Sequence, residues 1–273
     1  MPRLIRAALA RADLDSDAVT TGVDVVGDIA IIRAPGLKAT EKKRFGRALL
    51  EEIKTVAAVF EQEGPVEGEY RLRKLRHLAG KRSTLTDHKE NGCIFRVDVA
   101  KCYFSPRLST ERLRVAQDCE PGEEVLNMFA GVGPFSIPIA KSGPSVTSCE
   151  VNSYACELHE WNDKANKVDR LIEVLNEDAE RLPELLKKKF DRVLMPHPSM
   201  ADKFVPAALG LAKRRCVVHY YRHVLGRNEQ EAGDAIRGEV EELFPKKSRC
   251  VVRRVREVGP RWMEMVADVR LPA

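Results

Sequence analysis

Two glycines, Gly131 and Gly133, follow an apolar run that starts at Val125 and is typical of a buried β-strand. Glycine has no Cβ atom, so the chain at these positions can turn sharply and lie close against a ligand. A second apolar run ends at Glu150, close to the spacing of about 20 residues at which a carboxylate binds an adenosine ribose. These residues predict a strand, a ligand-binding turn and a helix, with an acid at the end of the next strand.

Ser136 restricts the ligand of this turn, because it stands where the third glycine of a GxGxxG motif would be. That motif is needed to bind the pyrophosphate of a dinucleotide. Its absence favours a compact nucleoside ligand such as S-adenosylmethionine.

Beyond Ser105 the chain alternates apolar strands with amphipathic helices, which predicts an α/β fold with a doubly wound parallel sheet. The predicted strands are 124–127, 145–150, 171–175, 191–195 and 216–221, and the predicted helices are 108–118, 135–141, 153–166, 180–188, 201–212 and 229–244. Strands 250–258 and 263–271 flank Gly259-Pro260 and would add an antiparallel hairpin. Ligands bind at the carboxyl ends of parallel strands. The segments expected to converge there are Phe129 to Gly133, Glu150, Asp178 and Pro196 to Ser199.

The preceding residues 21–102 are predicted to form a smaller α+β domain, after a lead-in of residues 1–20 and before a domain over 103–273. Residues 22–33 favour two strands around a turn at Gly27-Asp28. A helix is predicted to open at Thr40 and to end at Gly64-Pro65, and strands are predicted over 83–88 and 92–98. The apolar face predicted for that helix consists of Phe45, Leu49, Ile53, Val56 and Phe60.

Composition limits the class of protein. The 273 residues suffice for one large or two medium domains. No signal peptide and no apolar run near ~18 residues is visible, so we expect a cytoplasmic protein that does not enter a membrane. The seven cysteines are never arranged as CxxC, and we expect reduced thiols without a metal or a catalytic role.

The net charge is +5, and the basic residues cluster between Arg71 and Arg114, where twelve Lys or Arg and four acids give 12 − 4 = +8. Such a cluster suits a polyanion and disfavours a small-molecule or protein substrate. A solvated face without a partner is the alternative interpretation of a charge run.

Several longer motifs carry a resemblance to a known family. They are residues 88–92 (HKENG), 97–101 (VDVAK), 103–112 (YFSPRLSTER), 127–136 (NMFAGVGPFS) and 218–221 (VHYY). With the order of glycine turn, Glu150, Asp178 and a proline turn, the chain resembles the class I S-adenosylmethionine-dependent methyltransferases, which have a Rossmann-like sheet. More narrowly, from about residue 22 to its end, it is similar to the archaeal and eukaryotic tRNA (guanine-37 N1)-methyltransferases, whose scaffold the wybutosine-pathway aminocarboxypropyl transferases share.

The resemblance implies methyl transfer to N1 of guanosine 37 in the tRNA anticodon loop. N1 must lose a proton while charge grows on O6, so a base and a cation are needed together. Glu111 matches the general base of the family and Arg71 the arginine that stabilises O6. The alternatives are an exposed acid at a helix N-terminus for Glu111 and a phosphate contact for Arg71.

The resemblance also implies a binding site for S-adenosylmethionine. Glu150 would bind the ribose hydroxyls with Asn152 nearby, Asp178 the adenine amino group, and Phe129 and Gly131 the methionine part. Gly133 and Pro196 would complete the cofactor-binding turns. Arg107 and Tyr103 would contact cofactor, substrate or phosphate. His219, Tyr220 and Tyr221 are expected to pack within the sheet, with RNA stacking as the alternative.

Two departures from the family pattern are visible. Pro196-His197-Pro198 stands where Asn-Leu-Pro is usual, so an amide and a backbone N–H are missing, and His197 is a candidate substitute. The aminocarboxypropyl transferases therefore stay open as an alternative, as does an RNA-binding protein with an inactive methyltransferase domain. Many archaeal relatives also carry an extra small N-terminal domain, whereas only about twenty residues precede the first predicted strand here. Recognition should then rest on the anticodon stem-loop and the basic module. We also expect a monomer without an obligatory protein partner.

Overall fold

The computed structural model describes residues 3–15, 22–68 and 70–273. The chain divides into two compact units, Met1–Arg107 and Leu108–Ala273. Residues 1–2 and 16–20 of the predicted lead-in lie outside the described residues, as do Thr21 and Glu69. No helix in the described ranges is long and apolar enough to cross a membrane.

Unit 1 (Met1–Arg107) is an α+β unit. Its elements are α1 Arg3–Arg11, β1 Val23–Val26, β2 Ile29–Ile32, α2 Ala39–Glu52, β3 Ala58–Glu67, β4 Leu72–Gly80, β5 Leu85–Glu90 and β6 Cys93–Asp98. The first four strands form a sheet in the order β1-β2-β3-β4, and β5 pairs with β6. Strands β2 and β3 are parallel, with α2 as their crossover. Ile5 and Leu9 of α1 pack with Phe45 and Leu49 of α2 in one apolar core.

The prediction of a helix from Thr40 to Gly64-Pro65 is wrong in its second half. The helix ends at Glu52, and the residues that follow form β3. Phe60 lies opposite Ile31 of β2 in the parallel ladder and is buried by that pairing. Phe60 fits a helical spacing by number alone, but the strand partners available in the fold decide its conformation, and Val56 lies in the connection between α2 and β3.

Only part of the basic cluster between Arg71 and Arg114 is available at the surface. Arg73 is buried, donates a hydrogen bond to the Phe104 carbonyl at 3.0 Å and lies 3.4 Å from Asp24. Arg96 pairs with Asp87 at 2.8 Å. Part of the +8 cluster therefore stabilises the fold and is not available to a partner.

Unit 2 (Leu108–Ala273) is a Rossmann-like α/β unit. Its elements are α3 Ser109–Gln117, β7 Glu124–Asn127, α4 Ser136–Lys141, β8 Ser145–Cys149, α5 Ser153–Ala165, β9 Ile172–Leu175, α6 Leu182–Leu185, β10 Phe190–Met195, α7 Val205–Leu211, β11 Ala212–Leu225, α8 Glu229–Leu243, β12 Arg249–Gly259 and β13 Trp262–Arg270. The sheet order is β12-β13-β11-β10-β7-β8-β9. Strands β7 to β11 are parallel, and the predicted hairpin β12–β13 adds antiparallel strands.

This strand order fixes where a ligand can bind. From β7 the chain moves outward to β8 and β9, then crosses back to β10, so its direction reverses between β7 and β10. In open α/β sheets the crevice at such a switch point, at the carboxyl ends of the strands, is the binding site. Val193, Leu194 and Met195 of β10 are fully buried, as expected for a central strand covered on both faces.

Two element predictions in unit 2 need correction. The helix expected over 180–188 is a 3-10 turn, Ala179–Arg181, followed by the short α6. Lys187 to Lys189 offer no apolar face that would bury a further turn. Strand β11, expected to end at residue 221, continues to Leu225, because β13 pairs with it as far as Trp262.

Candidate active site

The glycine turn after β7 has the conformation that its residues predict. Gly131 and Gly133 have φ values of 55° and 87°, in the left-handed region that favours glycine. A Cβ atom on Gly133 would lie 2.5 Å from Cδ2 and Nε2 of His159, a side chain of α5 that is fully buried. The turn therefore needs glycine at this position, both for its conformation and for its packing on α5.

His159 lies next to another buried group. Its Nε2 is 3.4 Å from Oδ1 of Asp163, one helical turn further along α5. Burial lowers the pKa of His159 to about 3 and raises the pKa of Asp163 to about 8. At neutral pH both side chains are therefore uncharged beneath the turn.

Glu150 lies at the end of β8, with its carboxylate turned toward the glycine turn. Its two oxygens accept hydrogen bonds from the backbone N–H groups of Gly131 at 2.8 Å and Asn152 at 2.9 Å. The Asn152 side chain caps α5 by accepting from Tyr154 and Ala155. The acid, the turn and the start of α5 are thus joined at one place on the rim.

Asn176, which the sequence did not single out, connects this part of the rim to the next loop. Its side-chain amide donates to the carbonyl oxygens of Glu150 and Val151 at 2.9 and 3.1 Å. Asp178, two residues later, is exposed and accepts from the Glu180 N–H at 2.9 Å. The loops after β8 and β9 are therefore held together.

Phe129 joins the loops on the two sides of the switch point. Its ring centroid lies 4.8 Å from that of Phe204 and 5.2 Å from that of His197, in the Pro196-His197-Pro198 turn after β10. The His223 N–H donates to the Pro198 carbonyl at 3.1 Å, which ties the turn to β11. The structure thus places Phe129, Pro196 and His197 around one side of the crevice.

Glu111 lies in the first turn of α3 and is buried, with 9% of its surface exposed. Its Oε1 accepts hydrogen bonds from the Tyr221 hydroxyl at 2.6 Å and Arg114 Nη2 at 2.7 Å. Its Oε2 accepts from Arg114 Nε at 2.9 Å. The alternative of an exposed acid that only complements the helix dipole is therefore wrong.

Tyr221 connects Glu111 to the glycine turn. It belongs to β11, is 1% exposed, and its ring centroid lies 6.0 Å from that of Phe135, two residues after Gly133. Desolvation, together with the neighbouring Glu111, raises the pKa of Tyr221 well above its usual value, so its hydroxyl stays a donor. The expectation that His219, Tyr220 and Tyr221 pack within the sheet is confirmed by their burial.

A chain of buried charges continues beyond Arg114. Arg114 Nη1 lies 2.9 Å from Asp268, and Asp268 lies 2.6 Å from Nδ1 of His219. Nε2 of His219 is 2.8 Å from Arg192, which can only donate, so Nδ1 carries the proton and donates to Asp268. Burial disfavours the charge on Asp268, but His219 and Arg114 outweigh it and lower its pKa to about 2.

Arg71 and Arg107 belong to unit 1. Arg71 has a φ of 52°, and its guanidinium carbon lies 4.5 Å from the centroid of the Tyr103 ring. Arg107 donates to Asp24 at 2.6 Å and is half exposed. Arg71 is thus supported by one aromatic face, whereas Arg107 already has an acidic partner within its own unit.

No cluster of His, Cys, Asp or Glu in the described part of the chain is arranged to hold a metal ion. All seven cysteines are free thiols, and six of them are buried. Desolvation raises the pKa of both Cys149 and Cys156, near the rim, to about 12, which keeps them protonated at neutral pH.

Comparison with known proteins finds two matching families and several related sequences. The family described as "TRM5/TYW2 methyltransferase domain" matches residues 86–247, and the family described as "TYW2 N-terminal domain" matches residues 5–84. Trm5b of Pyrococcus abyssi, a tRNA (guanine(37)-N(1))-methyltransferase, is 40% identical over 255 residues, 92% of this chain and 75% of that protein. Taw21 of Saccharolobus solfataricus, a tRNA 4-demethylwyosine(37)-methyltransferase, is 32% identical over 259 residues, 94% of this chain and 96% of that protein.

Solved structures match both units. The structure of aTrm5 in complex with tRNALeu has a TM-score of 0.86 and 32% identity, and the match covers 99% of this chain and 78% of that one. Trm5 of Methanocaldococcus jannaschii in complex with adenosine has a TM-score of 0.82 and 30% identity, over 100% of this chain and 81% of that one.

Proposed function

The chain belongs to the TRM5/TYW2 methyltransferase family, and we propose that it transfers a methyl group from S-adenosylmethionine to N1 of guanosine 37 in tRNA. The observation that carries the proposal is the buried carboxylate of Glu111, held by Tyr221 and Arg114, with the Tyr221 ring 6.0 Å from that of Phe135, two residues after the glycine turn. A fixed base next to a nucleoside-binding turn is what deprotonation and methylation of a purine nitrogen require.

The residues of the rim fit S-adenosylmethionine. The left-handed turn at Gly131 and Gly133 allows the backbone to lie close to the methionine part, and Glu150 is held where ribose hydroxyls can donate to it. Asp178 is exposed at the next strand end, within the loop expected to hold the adenine. When bound, S-adenosylmethionine supplies a methyl group on a positively charged sulfur.

We assign proton transfer to one oxygen of Glu111. Oε1 accepts from both Tyr221 and Arg114, whereas Oε2 accepts from Arg114 alone. Each carboxylate oxygen has two lone pairs, so Oε2 retains capacity for the N1 proton of guanine. Tyr221 and Arg114 are positioning residues in this assignment, because they hold the carboxylate and do not contact the base.

Arg71 is proposed to stabilise the charge that grows on O6. Its guanidinium lies on the Tyr103 ring, which leaves the N–H groups at its edge to donate. Arg107 is proposed to contact phosphate or cofactor, and this role would require it to share or leave its ion pair with Asp24.

His197 is proposed to replace the asparagine usual in the family. Pro196 offers neither an amide nor a backbone N–H. His197 follows directly, packs against Phe129 and has both a donor and an acceptor on its ring. This substitution favours a second candidate function, transfer to a wyosine precursor at position 37, either of a methyl group or of an aminocarboxypropyl group. The relative Taw21 acts on such a base.

The proposed partner is the anticodon stem-loop of tRNA, bound in the cytoplasm by a monomer. Exposed basic residues of unit 1 support this choice, among them Lys74, Lys81, Arg82, Lys89 and Lys101. We propose that residues 21–102 carry the recognition of tRNA and that residues 103–273 carry the methyl transfer.

The test is incubation with S-adenosylmethionine and tRNA transcripts, with products identified by mass. The methyl and aminobutyryl carbons are labelled separately, and a transcript with adenosine at position 37 is the control. Methyl label in 1-methylguanosine at position 37 alone is expected. Transfer of either label to a second substrate, a tRNA that already carries a wyosine precursor at position 37, would establish the second candidate. No transfer, with no heat on titration of S-adenosylmethionine, would indicate an inactive RNA-binding domain.

A further inference from the structure

Two arginines of the β12–β13 hairpin lie directly opposite each other. Arg249 and Arg270 are register partners on neighbouring antiparallel strands, and both are exposed. Side chains at such positions have Cβ atoms about 4.5–5.5 Å apart, and like charges placed there repel. Without an anion between them, the two arginines therefore contribute no stability to the hairpin.

No acid among the described residues neutralises the pair. Neither arginine forms an ion pair or a side-chain hydrogen bond with a residue of the ranges that the structure describes. Asp268 lies two residues from Arg270 on the same face, but it already accepts from Arg114 and His219 and lies 3.5 Å from Arg253. By contrast, Arg256 of β12 is paired, at 2.6 Å from Glu264.

The backbone brings further cations to this corner of the sheet. The Arg215 N–H donates to the Pro272 carbonyl, and Val217 is the register partner of Arg270 on β11. The three segments that meet there, residues 213–215, 246–249 and 270–273, contain seven Lys or Arg and no acid. Arg215 and Lys247 have φ values of 62° and 75°, a conformation that costs a side chain about 1–2 kcal/mol relative to glycine. Arg215 and Lys247 thus occupy positions at which glycine would have a lower conformational cost.

We propose that Arg249 and Arg270 bind a phosphate group of the tRNA backbone. Two guanidinium groups side by side offer paired donors to the oxygens of one phosphate, the geometry in which arginine binds phosphate most strongly. The proposal rests on the proposed function, since it takes tRNA as the substrate.

The position of the pair indicates which phosphate it binds. Val217, Arg270 and Arg249 lie opposite one another, and Val217 shares its sheet face with His219 and Tyr221 because side chains alternate along a strand. Tyr221 holds Glu111. The pair therefore lies on the face of the sheet that carries the proposed base, about 13 Å from Tyr221 toward the amino end of β11 at about 3.3 Å per residue, with Arg270 one strand and Arg249 two strands away. This distance places the phosphate outside the target nucleotide, in the flanking RNA.

The test compares a double variant, R249Q/R270Q, with the matched control R254Q. Arg254 is exposed on the same strand but already pairs with Glu229 and Glu257. The dissociation constant for tRNA is measured at several salt concentrations. We expect the double variant to bind roughly tenfold more weakly and the slope of log K against log salt to fall by about one, as for one lost phosphate contact. R254Q should bind like the wild type.

Two further readouts separate this site from a structural role and from the proposed function. The melting temperature of the double variant should be equal to or above that of the wild type, because a repulsive pair is removed, and kcat at saturating tRNA should be unchanged. Unchanged tRNA affinity, an equal loss in R254Q, or a lowered melting temperature would overturn the arginine site. Failure of the wild type to modify position 37 would instead overturn the proposed function.

Discussion

Two arginines with assigned roles are held in very different ways. Arg114 in unit 2 donates to Glu111, Asp118 and Asp268, and these acids raise its pKa despite its burial. Arg71 in unit 1 has a left-handed backbone conformation and lies over the ring of Tyr103. Arg114 thus has three acidic partners, whereas Arg71 contacts the face of one aromatic ring.

The difference corresponds to two tasks. The general base that we propose at Glu111 must keep its geometry in every turnover, and its two donors, Tyr221 and Arg114, are held by defined contacts. The contact with RNA that we propose for Arg71 must accommodate a substrate that arrives and leaves, and a cation on an aromatic face can adjust without losing its support. We therefore expect substitutions around Glu111 to affect chemistry through geometry, and substitutions at Arg71 to leave the fold intact.

Glu111→Gln should have the largest effect. Glutamine keeps an acceptor oxygen for Tyr221 but cannot take a proton, so the transfer rate should fall by about 10²–10⁴-fold, the usual share of a general base. Single-turnover methylation measures the rate, and calorimetry should give near-normal affinity for S-adenosylmethionine. Glu239→Gln is the control, because Glu239 accepts from the neighbouring Tyr220 instead. Near-normal turnover of Glu111→Gln would remove its assigned role.

Arg71→Ala should come second, with a loss of about 10²–10³-fold in kcat, as for other donors to a developing oxyanion. The melting temperature should not change, which distinguishes this arginine from Arg114. The control is Arg76→Ala, since Arg76 pairs with Glu63 on the neighbouring strand. If tRNA affinity alone falls, Arg71 contacts a phosphate.

Gly133→Ala should destabilise unit 2 by about 2–4 kcal/mol, because a Cβ atom there meets His159 and the left-handed φ is strained. Gly122 has a φ of 86°, but a Cβ atom added to it would meet nothing within 4 Å, so Gly122→Ala should cost only the strain, about 1 kcal/mol. Urea denaturation measures both. Equal losses of stability in the two variants would show that the His159 side chain moves to accommodate the added Cβ atom.

Local features of the sequence predicted the rim. The glycine turn, the acid at the end of β8 and the alternation of strands and helices depend on residues close together in the chain, and each left a visible pattern. The resemblance to a family then selected Glu111 among many acids. The departure from the family pattern at Pro196-His197 was also visible in adjacent residues. It kept the aminocarboxypropyl transferases open as an alternative.

The contacts that hold Glu111 were not predictable. Tyr221 is 110 residues away and Asp268 lies 154 residues from Arg114, so no spacing indicates that they meet. Only the three-residue spacing of Glu111 and Arg114 was a usable signal for an ion pair on one helix. The same limitation explains the error at Phe60, whose strand partners in β2 and β4 are set by the tertiary fold.

Tyr221→Phe tests whether the buried hydroxyl positions the base. Loss of a hydrogen bond to a charged group costs about 1.5–3 kcal/mol, so kcat should fall roughly 10- to 100-fold while KM for tRNA changes little. Tyr220→Phe is the matched control on the opposite face of β11, where the hydroxyl donates to Glu239. A change in KM with unchanged kcat would contradict a positioning role.

The smallest expected effect concerns the uncharged pair His159 and Asp163, which contrasts with the charged network around Glu111. The folded pKa of Asp163, about 8, lies above the unfolded value of 3.8, so the folded state holds a proton that the unfolded state has lost. Stability from this group is therefore full below about pH 4 and is lost as the pH rises toward 8. His159, with a folded pKa of about 3 against 6.5, changes in the opposite sense below pH 6.5.

The pH dependences that the two groups give to the stability cancel between about pH 4 and 6.5. Between pH 6.5 and 8 only Asp163 makes the stability depend on pH. Across that window the free energy of unfolding should fall by about 2 kcal/mol, at 1.36 kcal/mol per pH unit. Asp163→Asn keeps the shape but does not titrate, so its stability measured by urea denaturation should lose this slope. If the slope persists in the variant, it arises from another group. If the wild type shows no slope in this window, the folded pair holds no proton above pH 6.5 and Asp163 is ionised beneath the glycine turn.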